Sequence, residues 1–281
     1  MTAARVPADI VSPRPAWHGL LWIAPLTVLW IGLIYWQPII PASGVPTTAH
    51  QLTAHAVIAV GLWLGLERTD LTLGRRRTTW LAVMIPYALW FAVAWSAAIH
   101  GVFGTGASPS PVPLLPLLPL AIFLPVLIGA PLLLLSKRMG QVLDAMPETW
   151  LVAIQLYRVF GSWALAAWLR GEMPGVFALP AGIGDVLTGV FAVPAAIAVA
   201  TGTADGRKAA IIWNLFGLAD FAIAITLGLI TSPGRFQLIV PNVPSIGAGA
   251  YPAVLTPAFV VPSSILLHAL SLRQLIRRSA G

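Results

Sequence analysis

Three ionisable residues, Arg158, Asp185 and Asp220, lie within apolar segments that are long enough to cross a membrane. A charged side chain at the centre of a bilayer costs about 2.5–3.5 kcal/mol on the insertion scale, so such residues face one another or water rather than lipid. Together they provide two carboxylates and one guanidinium, which leaves one negative charge when all are ionised. We therefore expect one acid to hold a proton, or a cation to lie nearby. Proton-coupled carriers use buried groups of this kind.

Uncharged polar residues accompany these charges on the same segments. Gln155, Arg158 and Ser162 follow one another at i, i+3 and i+7, which places them on one helical face. Asn214 precedes Asp220 within a broad arc of a later helix. Arg158 lies about 12 Å from the expected inner end of its helix, and Asp220 lies at roughly the same depth. The sequence therefore predicts an Arg158–Asp220 pair, with a binding site for a small solute or ion around it.

Two further polar residues, Asp185 and His268, have both a local and a functional interpretation. Asp185 follows Pro180, which is expected in the first turn of its helix, so the acid either caps that helix, interacts with its dipole or pairs with Arg158. His268 shares a helical face with Ser264 and lies near the expected cytoplasmic end of the last span. Snorkelling to the interface is the simpler explanation for His268, and membership of the binding site is the alternative.

Composition assigns the chain to the membrane proteins. Of its 281 residues, 58% are hydrophobic and 9% are charged, and the mean hydropathy is +0.87. Soluble domains contain roughly 25% charged residues, so a soluble fold of this size is excluded. The absence of cysteine excludes disulfides, iron–sulfur clusters and cysteine nucleophiles. The charged N-terminal residues and the long apolar run after them predict no cleaved signal.

Eight apolar runs of about 20 residues, the length that crosses a bilayer, predict an all-α polytopic membrane protein. They cover residues 19–40, 49–66, 79–100, 113–135, 150–170, 179–200, 209–231 and 252–271. Thirteen of the 16 Lys and Arg residues fall in the N-terminal segment, the even-numbered loops and the C-terminal tail. The positive-inside rule then places both termini in the cytoplasm, and it explains the net charge of +7 without a nucleic-acid partner.

The expected organisation is one integral membrane domain in the plasma (inner) membrane, with the lipid bilayer as its surroundings. This single domain covers residues 1–281. Its parts, in order, are a cytoplasmic segment (1–18), four apolar spans (19–135), four spans with a polar centre (150–271) and a cytoplasmic tail (272–281). The loop 232–251 is rich in proline and glycine and has an apolar middle. It is interpreted as an external connection, with a re-entrant segment or lid as the alternative. Nothing in the sequence indicates an oligomeric state.

Three histidines, His50, His55 and His100, fall on the outer membrane face in this topology. Imidazoles grouped on one side bind zinc, copper or haem in other proteins. However, His50 and His55 are five residues apart rather than the three or four that share a helical face. We therefore predict no metal and no cofactor, and keep a site at these histidines as a minor alternative.

Three parts of the sequence resemble a known type of protein. The first is Pro180–Asp185, which reads PAGIGD, and the second is Trp213–Asp220, which reads WNLFGLAD. The third is the group of prolines and serines before His268. Over residues 150–275 the chain resembles a family of uncharacterised bacterial multi-pass inner-membrane proteins. The resemblance implies an all-helical fold with a polar second half and implies no reaction.

Three functions fit these residues. The first is a carrier of a small solute or ion, with Arg158 binding an anionic group and an acid taking up a proton. The second is an intramembrane enzyme, or a haem or metal redox protein, that acts on a lipid-soluble substrate. The third is an assembly or sensory subunit in which the polar groups only hold helices together. The depth of the charges favours the carrier over the enzyme, because enzymes acting on lipids usually have their acids and histidines near a membrane face.

Overall fold

The computed structural model consists of helices and the loops that join them in the residues it describes, which are 24–25, 28–29, 45–104, 117–243 and 245–279. Eight helices of nine or more residues, one short 3₁₀ helix (Ser245–Gly249) and no strand are present in these ranges. The eight helices are α1 (Val45–Glu67), α2 (Leu73–Ile99), α3 (Leu117–Leu134), α4 (Lys137–Ala145), α5 (Glu148–Leu169), α6 (Gly175–Ala200), α7 (Ala204–Thr231) and α8 (Thr256–Ser279). Most of the first predicted span, 19–40, lies outside the described residues.

Six of these helices, α2, α3 and α5 to α8, are long and apolar enough to cross a membrane. In α1 the stretch His55–Glu67 is a shorter apolar segment. The prediction of an all-helical protein with several helices able to cross a membrane is therefore confirmed for the described part of the chain. The number eight for the spans stays a prediction. Leucines on the face of α3 are among the large apolar side chains left exposed for lipid, for example Leu127 and Leu132.

The second half of the chain packs around α6, which lies against both α5 and α7. The approach of α6 to α5 is close because small residues face the contact. A Cβ added to Gly189 would lie 2.6 Å from the backbone nitrogen of Val159. Helix α8 closes the group by packing against α7, α5 and α3. Four helices thus surround one interior, and the polar residues of the sequence lie on the faces that meet there.

Two spanning helices depart from α geometry near this interior. The middle of α5, Ile154–Gly161, is a 3₁₀-helix, in which residues three apart lie on the same side. The start of α8, Thr256–Val260, is a π-helical turn, and such turns occur frequently at functional sites. Neither feature follows from the apolar periodicity. In α5 the 3₁₀ segment aligns Gln155, Arg158 and Gly161 along one side.

One predicted helix start is wrong. Helix α6 begins at Gly175, after Pro174, so Pro180 lies inside the helix instead of in its first turn. Proline was taken as a helix boundary where tertiary packing continues the helix, and the correction places Asp185 deeper within α6. The regular part of α8 continues to Ser279, past the predicted end of the last span at residue 271, and the position of that span end stays a prediction.

Candidate functional site

Arg158 lies at the centre of the polar interior and is only 3% exposed. Its Nε donates to Asp185 Oδ1 at 2.8 Å, and its Nη2 lies 2.7 Å from the same oxygen. Nη2 also donates to Asp220 Oδ2, and Nη1 donates to the carbonyl of Gly217 at 3.2 Å. The Arg158–Asp220 pair, which was predicted because the two residues lie at the same depth in the membrane, is therefore present. Asp185 contacts the same guanidinium at the same time, so one cation joins α5, α6 and α7.

The guanidinium also lies on an aromatic ring. Arg158 Cζ is 3.7 Å from the ring centroid of Phe221. A cation over the face of a ring gains about 0.5–2 kcal/mol, with the larger value in desolvated sites. Gly217, Asp220 and Phe221 together make α7 the main support of the arginine. Phe221 could not be predicted as a member of the cluster, since a phenylalanine in an apolar span is normally a lipid contact.

His268 extends the network on the opposite side of Arg158. Its Nε2 lies 3.3 Å from Arg158 Nη1, and its Nδ1 lies 2.8 Å from Asn214 Oδ1. A guanidinium only donates hydrogen bonds, so Nε2 accepts and Nδ1–H donates to Asn214. The Asn214 amide nitrogen in turn donates to the Ala210 carbonyl at 2.8 Å and to Ser271 Oγ at 3.1 Å. This pattern assigns His268 as neutral, with its proton on Nδ1.

The expectation that His268 snorkels to the interface is wrong. Its side chain is fully buried. Because α8 continues to Ser279, eleven residues or about 16 Å of helix separate His268 from the end of α8. The histidine therefore belongs to the cluster around Arg158.

The local interpretation of Asp185 as a helix-terminal acid is wrong for the same reason. With α6 starting at Gly175, Asp185 lies ten residues, or about 15 Å, inside the helix. Its side chain is 22% exposed, compared with 5% for Asp220. The two acids therefore differ, since Asp220 is enclosed while Asp185 retains some contact with the surroundings.

Glycines make room for both carboxylates. The Asp185 side chain packs against Gly161 of α5, and the Asp220 carboxylate packs against Gly184 of α6. A Cβ at either glycine would overlap the carboxyl group. At Gly184, in the PAGIGD segment, the space that a side chain would fill is thus occupied by a carboxylate from the neighbouring helix.

Gln155 and Ser162, the other two predicted site residues on α5, are also fully buried. Gln155 Nε2 donates to the Ser264 carbonyl at 3.2 Å, which connects α5 to α8. The hydroxyl groups of Tyr157 and Ser264 are hydrogen-bonded to each other. Tyr157 was missed from the sequence, because a tyrosine adjoining a predicted polar face does not indicate which helix it meets.

The outer histidines do not join this cluster. His55 stacks among the rings of Tyr87, Phe91 and Phe259, with centroid distances of 4.2–4.9 Å. His100 is exposed at the end of α2. Within the described residues no group of three His, Cys, Asp or Glu side chains is arranged to hold a metal ion. The side chain of His50 lies outside the described part, so a site of all three histidines stays a prediction.

The cluster as a whole has one acid more than it has cations. Arg158 contributes one positive charge, the two aspartates contribute two negative charges when ionised, and His268 is neutral. An unbalanced charge in a low-dielectric interior is costly, so the cluster favours binding one positive charge. All three nitrogens of the guanidinium are engaged by protein groups. An anionic ligand would therefore have to displace one of the two acids from Arg158.

Comparison with known proteins identifies the family but not an activity. The family model of DUF8737, a domain of unknown function, matches residues 115–276, and the chain belongs to this family. No curated protein and no solved structure matches the chain. The matched region contains α3 to α8 almost completely, and with them every residue of the Arg158 cluster.

Proposed function

We propose that this member of the DUF8737 family is a membrane carrier for a small solute or ion, and that the Arg158 cluster is its binding centre. The single observation that carries the proposal is the excess of one carboxylate over the buried cation, next to a neutral histidine. A cluster of this charge gains stability when it takes up one positive charge, a proton in the simplest case. Coupled carriers need a group of this kind.

The two acids have different parts in the proposed cycle. Asp185, the more exposed of the two, is the partner that an entering anionic group displaces from Arg158. The displaced carboxylate then lies unpaired in a low-dielectric site, where it takes up a proton. Asp220 keeps its bond to Nη2 and holds the guanidinium against Phe221. Binding of the anion and uptake of the proton are coupled because both involve Asp185.

A structural clamp is the second candidate. It is favoured by the complete engagement of the Arg158 nitrogens with groups of α6, α7 and α8. In that case the same contacts only hold the helices together, and one acid keeps its proton permanently. An intramembrane enzyme has less support, because both acids and His268 are directed at Arg158.

Currents from proteoliposomes on a solid-supported membrane test the carrier directly. Purified protein is exposed to rapid jumps of small mono- and dicarboxylates, amino acids and inorganic anions, with an inward proton gradient. With at least one solute, uptake with one proton is expected to give net charge movement for a dicarboxylate or a zwitterionic amino acid. For a monoanion, whose uptake with one proton moves no net charge, it is expected to acidify the liposome interior, read by an entrapped pH-sensitive dye. Absence of both signals across the panel, with the protein folded in the bilayer, would contradict the carrier and favour the clamp.

The proposed topology is eight spans, from the eight apolar runs, with both termini in the cytoplasm, from the distribution of Lys and Arg. A bacterial inner membrane is what the family resemblance implies. The chain has no cysteine, so a single introduced thiol is the only site for labelling. Arg235→Cys, at an exposed position after α7, is expected to react with an impermeant maleimide added to intact cells. Lys208→Cys, exposed near the start of α7, is expected to react only after the membrane is opened. Equal reactivity of both variants, or the reverse order, would refute this topology.

A further inference from the structure

The loop after α7 exposes a row of large apolar side chains. Leu238 and Val240 are 81% and 83% exposed, and Phe236 is about half exposed. The residues between them, Gln237 and Ile239, are less exposed than their neighbours. Because this alternation has a period of two, the side chains of Phe236, Leu238 and Val240 lie along one side of the chain, which we call the apolar edge. An exposed apolar patch of this kind marks a surface that contacts another apolar body.

The apolar edge lies beside the last turn of α7. The backbone amides of Leu238 and Ile239 both donate to the Ile230 carbonyl, each with an N···O distance of 2.9 Å. Ile230 is the second-last residue of α7, so these bonds hold the segment at the end of the helix. Residues 236–240 therefore lie at the rim of the helix bundle and do not form a segment that re-enters it deeply.

Trp168 indicates the depth of this helix end. A Cβ added to Gly175, the first residue of α6, would lie 2.9 Å from the Trp168 indole nitrogen. Two residues later on α6, the Phe177 ring lies 3.4 Å from the position of a Cβ on Gly228 of α7. Helices α6 and α7 are antiparallel neighbours joined by a short loop, so Ile230 is level with Gly175 and Trp168. Tryptophans at helix ends mark the membrane–water interface, which places the apolar edge at the depth of the lipid headgroups.

The backbone of this segment is suited to an environment with little water. The amide of Gln237 donates to the Gly234 carbonyl at 3.2 Å, so together with the two bonds to Ile230 three consecutive amides are engaged. Pro241, directly after the segment, has no N–H group. Backbone donors without a partner are the groups that keep loops out of an apolar medium. Their engagement here lowers the cost of placing the segment against lipid.

The exposed side of α7 leads directly to the apolar edge. Ile212, Phe216 and Ile223 are exposed at i, i+4 and i+11, and Ile230 continues this row at i+18. An apolar row along a membrane helix faces acyl chains, so the apolar edge is continuous with a lipid-facing surface. Arg235 is exposed just before the edge. An arginine at this depth keeps its stem on apolar surface and its guanidinium among the phosphates.

We propose that residues 236–240 anchor the loop in the membrane leaflet at the C-terminal end of α7. The apolar edge inserts among the upper parts of the acyl chains, and Arg235 contacts the lipid phosphates. In the proposed topology this is the outer leaflet. The loop is then held at two points, since the hydroxyl groups of Ser245 and Thr231 also bond to each other at 3.0 Å. The anchor does not depend on the carrier function.

Spin labels on single cysteines test the anchor, since the chain has no cysteine of its own. Full-length Leu238→Cys and Val240→Cys proteins are labelled and reconstituted in liposomes of phosphatidylcholine and phosphatidylglycerol. Electron paramagnetic resonance then measures collisions of each label with oxygen, which concentrates in lipid, and with a water-soluble nickel chelate. Both labels are expected to collide mainly with oxygen. Asn242→Cys, at an exposed polar position two residues later, is the matched control and is expected to collide mainly with nickel.

The two collision rates also distinguish lipid from other surroundings. Few collisions of the Leu238 and Val240 labels with either reagent would mean that the apolar edge is covered by protein, such as a second copy of the chain. A preference for nickel, as at Asn242, would place the loop in water. Either result would overturn the anchor.

A charge on the apolar edge separates insertion from folding. Leu238→Asp is added to the Val240→Cys protein, with Asn242→Asp, equally far from the label, as the control. Both aspartates replace exposed side chains, so both proteins are expected to melt in detergent at the temperature of the parent. In liposomes, Leu238→Asp is expected to change the preference of the label from oxygen to nickel, and Asn242→Asp is expected to leave it unchanged. An unchanged oxygen preference in the Leu238→Asp protein would contradict insertion of the apolar edge.

Discussion

Replacing Arg158 with leucine is expected to destabilise the folded protein by about 3–5 kcal/mol, the range measured when one partner of a buried ion pair is removed. The substitution leaves two carboxylates in the interior without their cation. It also removes a hydrogen bond to the Gly217 carbonyl and the contact with Phe221. The measurement is equilibrium unfolding in detergent, followed by circular dichroism.

Neutralising the acids in the same chain is expected to recover much of this loss. In Arg158→Leu with Asp185→Asn and Asp220→Asn no uncompensated charge of the cluster remains buried, and that charge is what makes a broken buried pair strongly destabilising. Arg277→Met is the matched control, because Arg277 and its partner Asp144 are about half exposed and 3.7 Å apart. A surface pair contributes about 0–1 kcal/mol. An Arg158→Leu protein as stable as this control would show that the cluster does not form.

Gly184→Ala is expected to lower the free energy of unfolding by about 1–3 kcal/mol, the usual cost of overpacking. The added Cβ would overlap the Asp220 carboxylate, so either α6 and α7 separate or Asp220 leaves Arg158. Gly61→Ala is the opposite control, because nothing lies within 4 Å of a Cβ at that position. Alanine is better than glycine in a helix by about 1 kcal/mol, so Gly61→Ala is expected to be neutral or stabilising. Thermal unfolding of the two variants side by side measures the difference, and equal stability would contradict the packing of Asp220 on Gly184.

The main members of the cluster could be predicted because membrane depth constrains ionisable groups strongly. Arg158 and Asp220 were paired from their depth alone, and both pair in the structure. Gln155, Ser162 and Asn214 were placed from helical periodicity, and all three are buried. In each case a polar residue in an apolar span has few places to go, so its burial follows from the pattern. The shared face does not, because the 3₁₀ segment of α5 aligns Gly161 instead of Ser162 with Gln155 and Arg158.

The features that could not be predicted from the sequence depend on packing between helices. Pro180 was taken as the start of α6, but the freed backbone groups of a proline inside a membrane helix can be satisfied by neighbours. The continuation of α8 to Ser279 could not be predicted, because Ser271 and the basic residues after it indicate only where a span leaves the membrane. Phe221 and Tyr157 gave no signal, since their roles depend on which helix they face. These are tertiary effects without a local pattern.

The transport current of a variant whose buried cluster has no charge tests the central claim most directly. Proteoliposomes with Arg158→Leu, Asp185→Asn and Asp220→Asn in one chain are compared with wild type, using the solute that gives the largest wild-type current. Melting behaviour and reconstitution efficiency are measured in parallel to establish that the variant is folded. A carrier that works through these charges requires the folded variant to give no current. A folded variant with the wild-type current would show that the cluster is only a clamp.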